Sequence, residues 1–306
     1  MNNTVKCGRW NGYRQSTFWY LLTGICLVLS SSNTAMALTD NTTPLVVATY
    51  AYPGLDRENA VAPIQTWLAQ ETQKPVSIRV ASSPAELATW VDQNVIDVAV
   101  PNLTAYLKIR QQDVGAQFIA VPKNYSPLVI KSQYRGSIIA KGFGSINELS
   151  MRLNQGKAVT VFAVFPDSTT GALIGLSKLR NSLSESQFKK LQLVYAGSHE
   201  QVIEQLSNHE FGIGIVAASA YNRVNKDSSL IELWRSGNVP FGPITCIPKR
   251  LSCDTLKRAL ARNMSANQQI LAGLKNGWPE FEHTDSLSFH EHKVYSDLLR
   301  EQLTTR

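Results

Sequence analysis

The chain has no Lys/Arg block, no basic–aromatic alternation and no glycine fingerprint for a dinucleotide or a phosphate loop. The first two absences argue against nucleic acid as a partner. The third, with the lack of a G-x-S-x-G elbow, leaves nucleotide and serine-hydrolase chemistry without a sequence basis. Cysteine is scarce too, at four in 306 residues, and no His or further Cys lies near Cys246 and Cys253. Neither therefore reads as a metal ligand. His283, His290 and His292 cluster on a polar stretch without a ligand constellation around them, so no metal or cofactor is expected.

Only one apolar run is long, Phe18–Leu29. It follows Lys6, Arg9 and Arg14 and precedes Ala35-Met36-Ala37, the pattern of a secretory signal peptide with an A-x-A cleavage site. The run is too short to span a bilayer comfortably, and Ile25 before Cys26 argues against lipidation there. Residues 1–37 are expected to be removed and the product to be periplasmic. That segment holds three basic residues and no acidic ones, so its loss takes the formal charge from +7 to +4. The 269 residues after position 37 exceed a typical single core, and two lobes are expected. In an oxidising compartment Cys246 and Cys253 are expected to pair across a short loop, two buried thiols being the alternative.

What is present is an alternation of strands and helices. Leu45–Tyr50 reads as a buried strand, and residues 57–73 as a helix with Val61, Ile64 and Leu68 on one face. Val76–Val80 is a strand, and Ser83-Pro84-Ala85-Glu86 caps the next helix. Ile96–Val100 is a third strand, leading through Pro101–Thr104 into a helix containing Tyr106. The pattern restarts after Tyr134 with Ser137–Ala140, Val159–Phe165, Leu191–Tyr195 and Gly212–Val216, with helices between them. A loop-like stretch near Ser236–Pro240, one helix over 254–272 and a polar tail complete the chain. The expected class is α/β, with each lobe a mainly parallel sheet flanked by helices. Residues 38–136 and 237–306 form the first lobe and 137–236 the second, with a cleft and two crossings between them.

Two turns at strand carboxyl ends carry the chemistry. Pro166-Asp167-Ser168-Thr169-Thr170-Gly171 and Ala196-Gly197-Ser198-His199-Glu200 each open a helix, where free N–H groups and the macrodipole favour an anion. Three hydroxyls in a row exceed what an N-cap needs. His199 starts a helix, where a cation is disfavoured; a bound anion would hold the imidazole protonated or donating. Ligands of open α/β sheets sit beyond strand carboxyl ends and in interlobe clefts. That rule adds Tyr50, Tyr52, Asn102 and Tyr106 as candidates. Catalysis by Ser168 with His199 lacks a third residue to orient the imidazole.

These segments carry a resemblance. Val95–Tyr106, Asp167–Gly171 and Gly197–Glu200, with Tyr134–Ala140 and Gly242-Pro243, resemble the phosphate/phosphite/phosphonate substrate-binding proteins of ABC transporters. The likeness runs over nearly all of the chain after position 37. It implies a type II periplasmic-binding-protein fold that closes on a small anionic ligand and delivers it to an ABC permease. It also implies a monomer with no enzymatic activity. By the same resemblance Ser168, Thr169 and Thr170 hold the anion's oxygens, with His199 and the adjoining Ser198. Tyr106 is then the cleft tyrosine, and Tyr50 or Tyr52 the first-loop aromatic. A periplasmic sensor of the same fold, signalling to a membrane kinase or cyclase, is the alternative. The family often carries acids where this chain has Gly212 and Gly242, which makes a zwitterionic aminophosphonate a less expected ligand.

Overall fold

The computed structural model describes residues 43–123, 134–224 and 229–304; the expected signal peptide lies outside them. In chain order, β1 (Leu45–Tyr50), α1 (Arg57–Thr72), β2 (Val76–Ala81), α2 (Pro84–Asp92), β3 (Val98–Ala99), α3 (Leu103–Arg110) and β4 (Gln117–Lys123) come first. The second run comprises β5 (Gly136–Lys141), α4 (Ile146–Asn154), β6 (Val159–Ala163), α5 (Ile174–Ser182), α6 (Glu185–Phe188) and β7 (Leu191–Tyr195). It continues through α7 (His199–Ser207), β8 (Gly212–Ala217), α8 (Ala218–Val224) and β9 (Ile231–Arg235). The chain then adds β10 (Ile244–Cys246), α9 (Cys253–Arg262), α10 (Met264–Gly277), β11 (Ser286–Ser288) and α11 (Lys293–Thr304).

Two sheets result, ordered β11-β4-β10-β3-β1-β2 and β7-β6-β8-β5-β9. Strands of each β-α-β run pair in parallel: β1 with β2 and β3, and β6 with β7 and β8. The antiparallel pairs involve β5 and β10, the first strands after each crossing, and the sheet-edge strand β11. Alternate residues of a strand face opposite sides, and the cores follow that period. Leu45 and Val47 join Ile64, Leu260 and Trp278 on one side of the first sheet, while Ala48 and Tyr50 join Leu87 and Val91 on the other. Ile213 and Ile215 likewise face Leu149 and Leu179, and Val216 faces Val202 and Leu206.

Local chemistry explains most element ends. Asp56 caps α1 by accepting from Asn59 N–H, and Ser83 and Ser145 cap α2 and α4 in the same way. The single helix expected over 254–272 is two. Asn263 leaves the helical region at φ −97°, ψ 85° and uses its side chain to cap α10. The polar tail is also more structured than expected, holding a 3-10 turn (Pro279–Phe281), β11 and α11. Cys246 and Cys253 form a disulfide with Cα atoms 5.7 Å apart. Closing so short a loop contributes about 2.5 kcal/mol by the chain-entropy account.

The two crossings lie side by side. Ser236 N–H donates to the Gly136 carbonyl at 2.8 Å and Gly136 N–H to Ser236 Oγ at 2.9 Å. Val239 N–H donates to the Tyr134 carbonyl at 2.7 Å, and the Tyr134 and Phe241 rings stack at 5.4 Å. Among the described residues no helix is long and apolar enough to cross a membrane.

Candidate functional site

Residues at and just beyond the carboxyl ends of β1, β3, β6, β7 and β8 line a cavity of about 230 Å³. The first sheet's side supplies Tyr50, Tyr52, Arg57, Asn102 and Glu280; the second supplies Phe165, Ser168, Thr169, His199 and Ser219; the crossing supplies Tyr134. Hydrogen bonds join the two sides around it. Asn102 Nδ2 donates to the Asp167 carbonyl at 2.9 Å, while its Oδ1 caps α3 at Ala105 N–H. Thr104 N–H donates to Thr169 Oγ1 at 3.3 Å, and the two threonine hydroxyls lie 3.0 Å apart. His199 N–H donates to the Tyr52 hydroxyl at 3.3 Å.

The helix expected after Thr170 begins as a π turn, Thr169–Leu173, before α5. Single π turns recur at functional sites. Ser168 Oγ accepts from Gly171 N–H at 3.2 Å, so Ser168 caps the turn and lines the cavity at once. Thr169 also lines it.

Three expected site residues are placed elsewhere. Thr170 is fully buried and donates to the Tyr134 hydroxyl at 3.1 Å, which makes it a support for a wall residue. Ser198 caps α7 by accepting from Gln201 N–H and does not line the cavity. Tyr106 is fully buried in the core between α3 and α11, edge-on to Tyr295 at 5.3 Å. Its hydroxyl donates to Glu291 at 2.7 Å and accepts from Arg110 at 2.6 Å. Tyr134, from the crossing, stands where Tyr106 was expected.

His199 is a neutral donor. Its Nδ1 accepts from Ala217 N–H at 3.1 Å, which puts the proton on Nε2. Burial pushes its pKa down to about 4, against the pull of Glu200 and with help from Arg223. Of the two forms expected from sequence, protonated or neutral and donating, this geometry is that of the second. Between an unfolded value of about 6.5 and the folded value, the unfolded chain binds the extra proton. Stability should therefore fall as pH drops through that window, by about 2 kcal/mol from this group. Urea unfolding at pH 7 and pH 4.5 checks it: His199→Gln should remove that part of the loss, and an unchanged difference would contradict a neutral His199.

Sequence reading missed Arg57 and Glu280. Arg57 is buried, with its guanidinium carbon 4.1 Å from the Tyr50 ring centroid, 4.5 Å from Trp278 and 5.2 Å from Tyr52. Its Nε donates to the Gly277 carbonyl at 3.1 Å. Burial raises the Glu280 pKa, opposed by Arg57. Burial likewise raises the hydroxyl pKa values of Tyr50, Tyr52 and Tyr134, which stay neutral donors. At the exposed side Arg223 Nη2 meets Glu200 Oε1 at 3.1 Å. A signal for Arg57 exists: a cation at a first helical position, directly after a tyrosine-bearing loop. Glu280 lies in the stretch read as a tail and has none.

Neither glycine at the family's acidic positions opens onto the cavity. Gly212 starts β8, whereas Ala217 at the strand's other end lines the wall. Gly242 is pressed against the backbone of Pro101 and Asn102. The carboxylates on the wall are Glu200 and Glu280.

Together these features define a two-lobed α/β protein with a donor-rich, ligand-sized cavity where the lobes meet. The chain belongs to the family described as ABC transporter, phosphonate, periplasmic substrate-binding protein, whose profile matches residues 51–286. A binding protein component of a phosphonate ABC transporter from Pseudomonas aeruginosa is similar in structure at 16% identity and a TM-score of 0.60, covering 86% of this chain and 87% of that one. PhnD1 of Prochlorococcus marinus, in complex with methylphosphonate, gives 15% and 0.60 over 86% of this chain and 100% of its own. XAC2383 of Xanthomonas citri, bound to ATP, gives 13% and 0.63 over 84% and 94%. At these identities the likeness shows the fold. No curated protein matches the chain significantly in sequence.

Proposed function

We propose that the protein captures a small phosphorus oxyanion of the phosphate, phosphite or phosphonate type by closure of its two lobes and passes it to an ABC permease. It acts in the periplasm as a monomer, after removal of residues 1–37, and catalyses no reaction. The observation that carries this reading is the convergence of Ser168, Thr169, the neutral His199 and the tyrosine hydroxyls on one cavity at the lobe junction. Neutral donors, preorganised by caps and by the Ala217 N–H, suit an anion whose charge stays delocalised over several oxygens. Family membership and the fold shared with the methylphosphonate-bound PhnD1 support the ligand class.

A thermal-shift panel of phosphate, phosphite, methylphosphonate and sulfate tests it. A true ligand at a hundredfold over its Kd adds about 2.7 kcal/mol of stability. Thr169→Ala and His199→Ala should each weaken the best hit roughly tenfold or more, since hydrogen bonds to charged groups are worth about 1.5–3 kcal/mol. Full affinity in both variants would remove the site from this cavity.

A further inference from the structure

Arg57 is poorly placed for stability alone. It is the first residue of α1, where the helix dipole opposes a cation, and it is buried. Among the described residues no carboxylate lies within ion-pair distance of it; its hydrogen bonds go to the carbonyls of Gly277 and Tyr50. A buried cation with no carboxylate in ion-pair contact is costly to hold there. The faces of Tyr50, Trp278 and Tyr52 offset part of that and hold the guanidinium on the cavity wall.

Glu280 shares this wall, and its burial favours the neutral carboxyl despite Arg57. The first-lobe side thus offers a fixed positive charge, with the Glu280 carboxyl on the same wall. The second-lobe side offers Ser168, Thr169 and His199. The cavity volume of about 230 Å³ accommodates roughly seven or eight water-sized groups at about 30 Å³ each. A phosphonate headgroup fills only part of it.

We propose that the ligand is a phosphonate bearing a second anionic group, a carboxylate. The phosphonyl oxygens take the donors of Ser168, Thr169 and His199, and the carboxylate meets Arg57 with Glu280 beside it. This rests on the oxyanion reading given above. An ammonium at the same place would lie against the charge of Arg57, so aminoalkylphosphonates are selected against.

Isothermal titration of the purified protein at pH 7 with methylphosphonate, phosphonoacetate and 2-aminoethylphosphonate tests this. Phosphonoacetate should bind at least tenfold more tightly than methylphosphonate, and 2-aminoethylphosphonate more weakly than either. Arg57→Gln should cost phosphonoacetate at least tenfold more than it costs methylphosphonate, and Arg57→Lys should restore part of the difference. Should Arg57→Gln fail to fold, the wild-type ranking decides. Equal binding of methylphosphonate and phosphonoacetate, or tightest binding of the amine, overturns the inference and leaves the oxyanion reading standing. Binding of none of the three overturns the inference as well, and the oxyanion reading falls with it only if phosphate and phosphite also fail in the thermal-shift panel.

Discussion

Gly242→Ala should destabilise the protein by about 3 kcal/mol, near the upper end for overpacking. A Cβ at this position would stand 2.0 Å from the Pro101 carbonyl oxygen, 2.6 Å from Asn102 C and 2.8 Å from Asn102 Cα. All three are backbone atoms, so no rotamer change relieves the contact. Asn102 is itself committed, since it caps α3 and bonds to the Asp167 carbonyl on the other lobe. Pushing it aside disturbs a helix start and a contact between the lobes together. The urea midpoint at pH 7 should drop without a change in m-value, and ligand affinity should drop with it. A wild-type midpoint would show that the segment leading into β10 does not approach the Pro101 turn this closely.

Gly171→Ala should abolish ligand capture, by a hundredfold or more, while the far-UV spectrum keeps its native form. The new methyl carbon would lie 2.3 Å from Val164 Cγ2 and 2.7 Å from Ser168 Oγ. Val164 is fully buried, so it cannot swing away cheaply, and the turn must move instead. That movement breaks the Ser168–Gly171 cap and carries Ser168 and Thr169 off the cavity wall. Titration with the best anion from the panel reads the loss. Retained affinity would mean that the hydroxyls of this turn do not hold the ligand.

The candidate site divides into parts that local sequence specifies and parts that distant packing specifies. Ser168, Thr169 and His199 are legible because hydroxyl-rich turns and helix starts at strand ends are local events. The β-α-β runs of both lobes are legible for the same reason, through alternation and capping signals. Tyr106 is not, because the face of α3 that meets the cleft depends on Tyr295 of α11 and on Glu291 just before that helix, which draw the ring inward. Arg57 escapes notice because its cage is assembled from Tyr50, Tyr52 and Trp278, and the last comes from near the chain's other end. The split of α9 from α10 turns on one residue, Asn263, whose capping role competes with a continuous apolar stripe. Gly212 and Gly242 lie at the start of β8 and against the Pro101–Asn102 backbone, away from the cavity lining, a placement that only the packed sheets determine.

The bonds around the cavity fall into two mechanical kinds. The Thr170–Tyr134 contact ties a lobe to the crossing and travels with the axle. The bonds from Asn102, Thr104 and Tyr52 tie lobe to lobe and act as a latch that parts whenever the shell swings apart. Four such bonds at about 1 kcal/mol each bias the shut form before any guest arrives. Thr104 sits in this latch outside the cavity wall, so its side chain sets the strength of the grip without touching what is gripped.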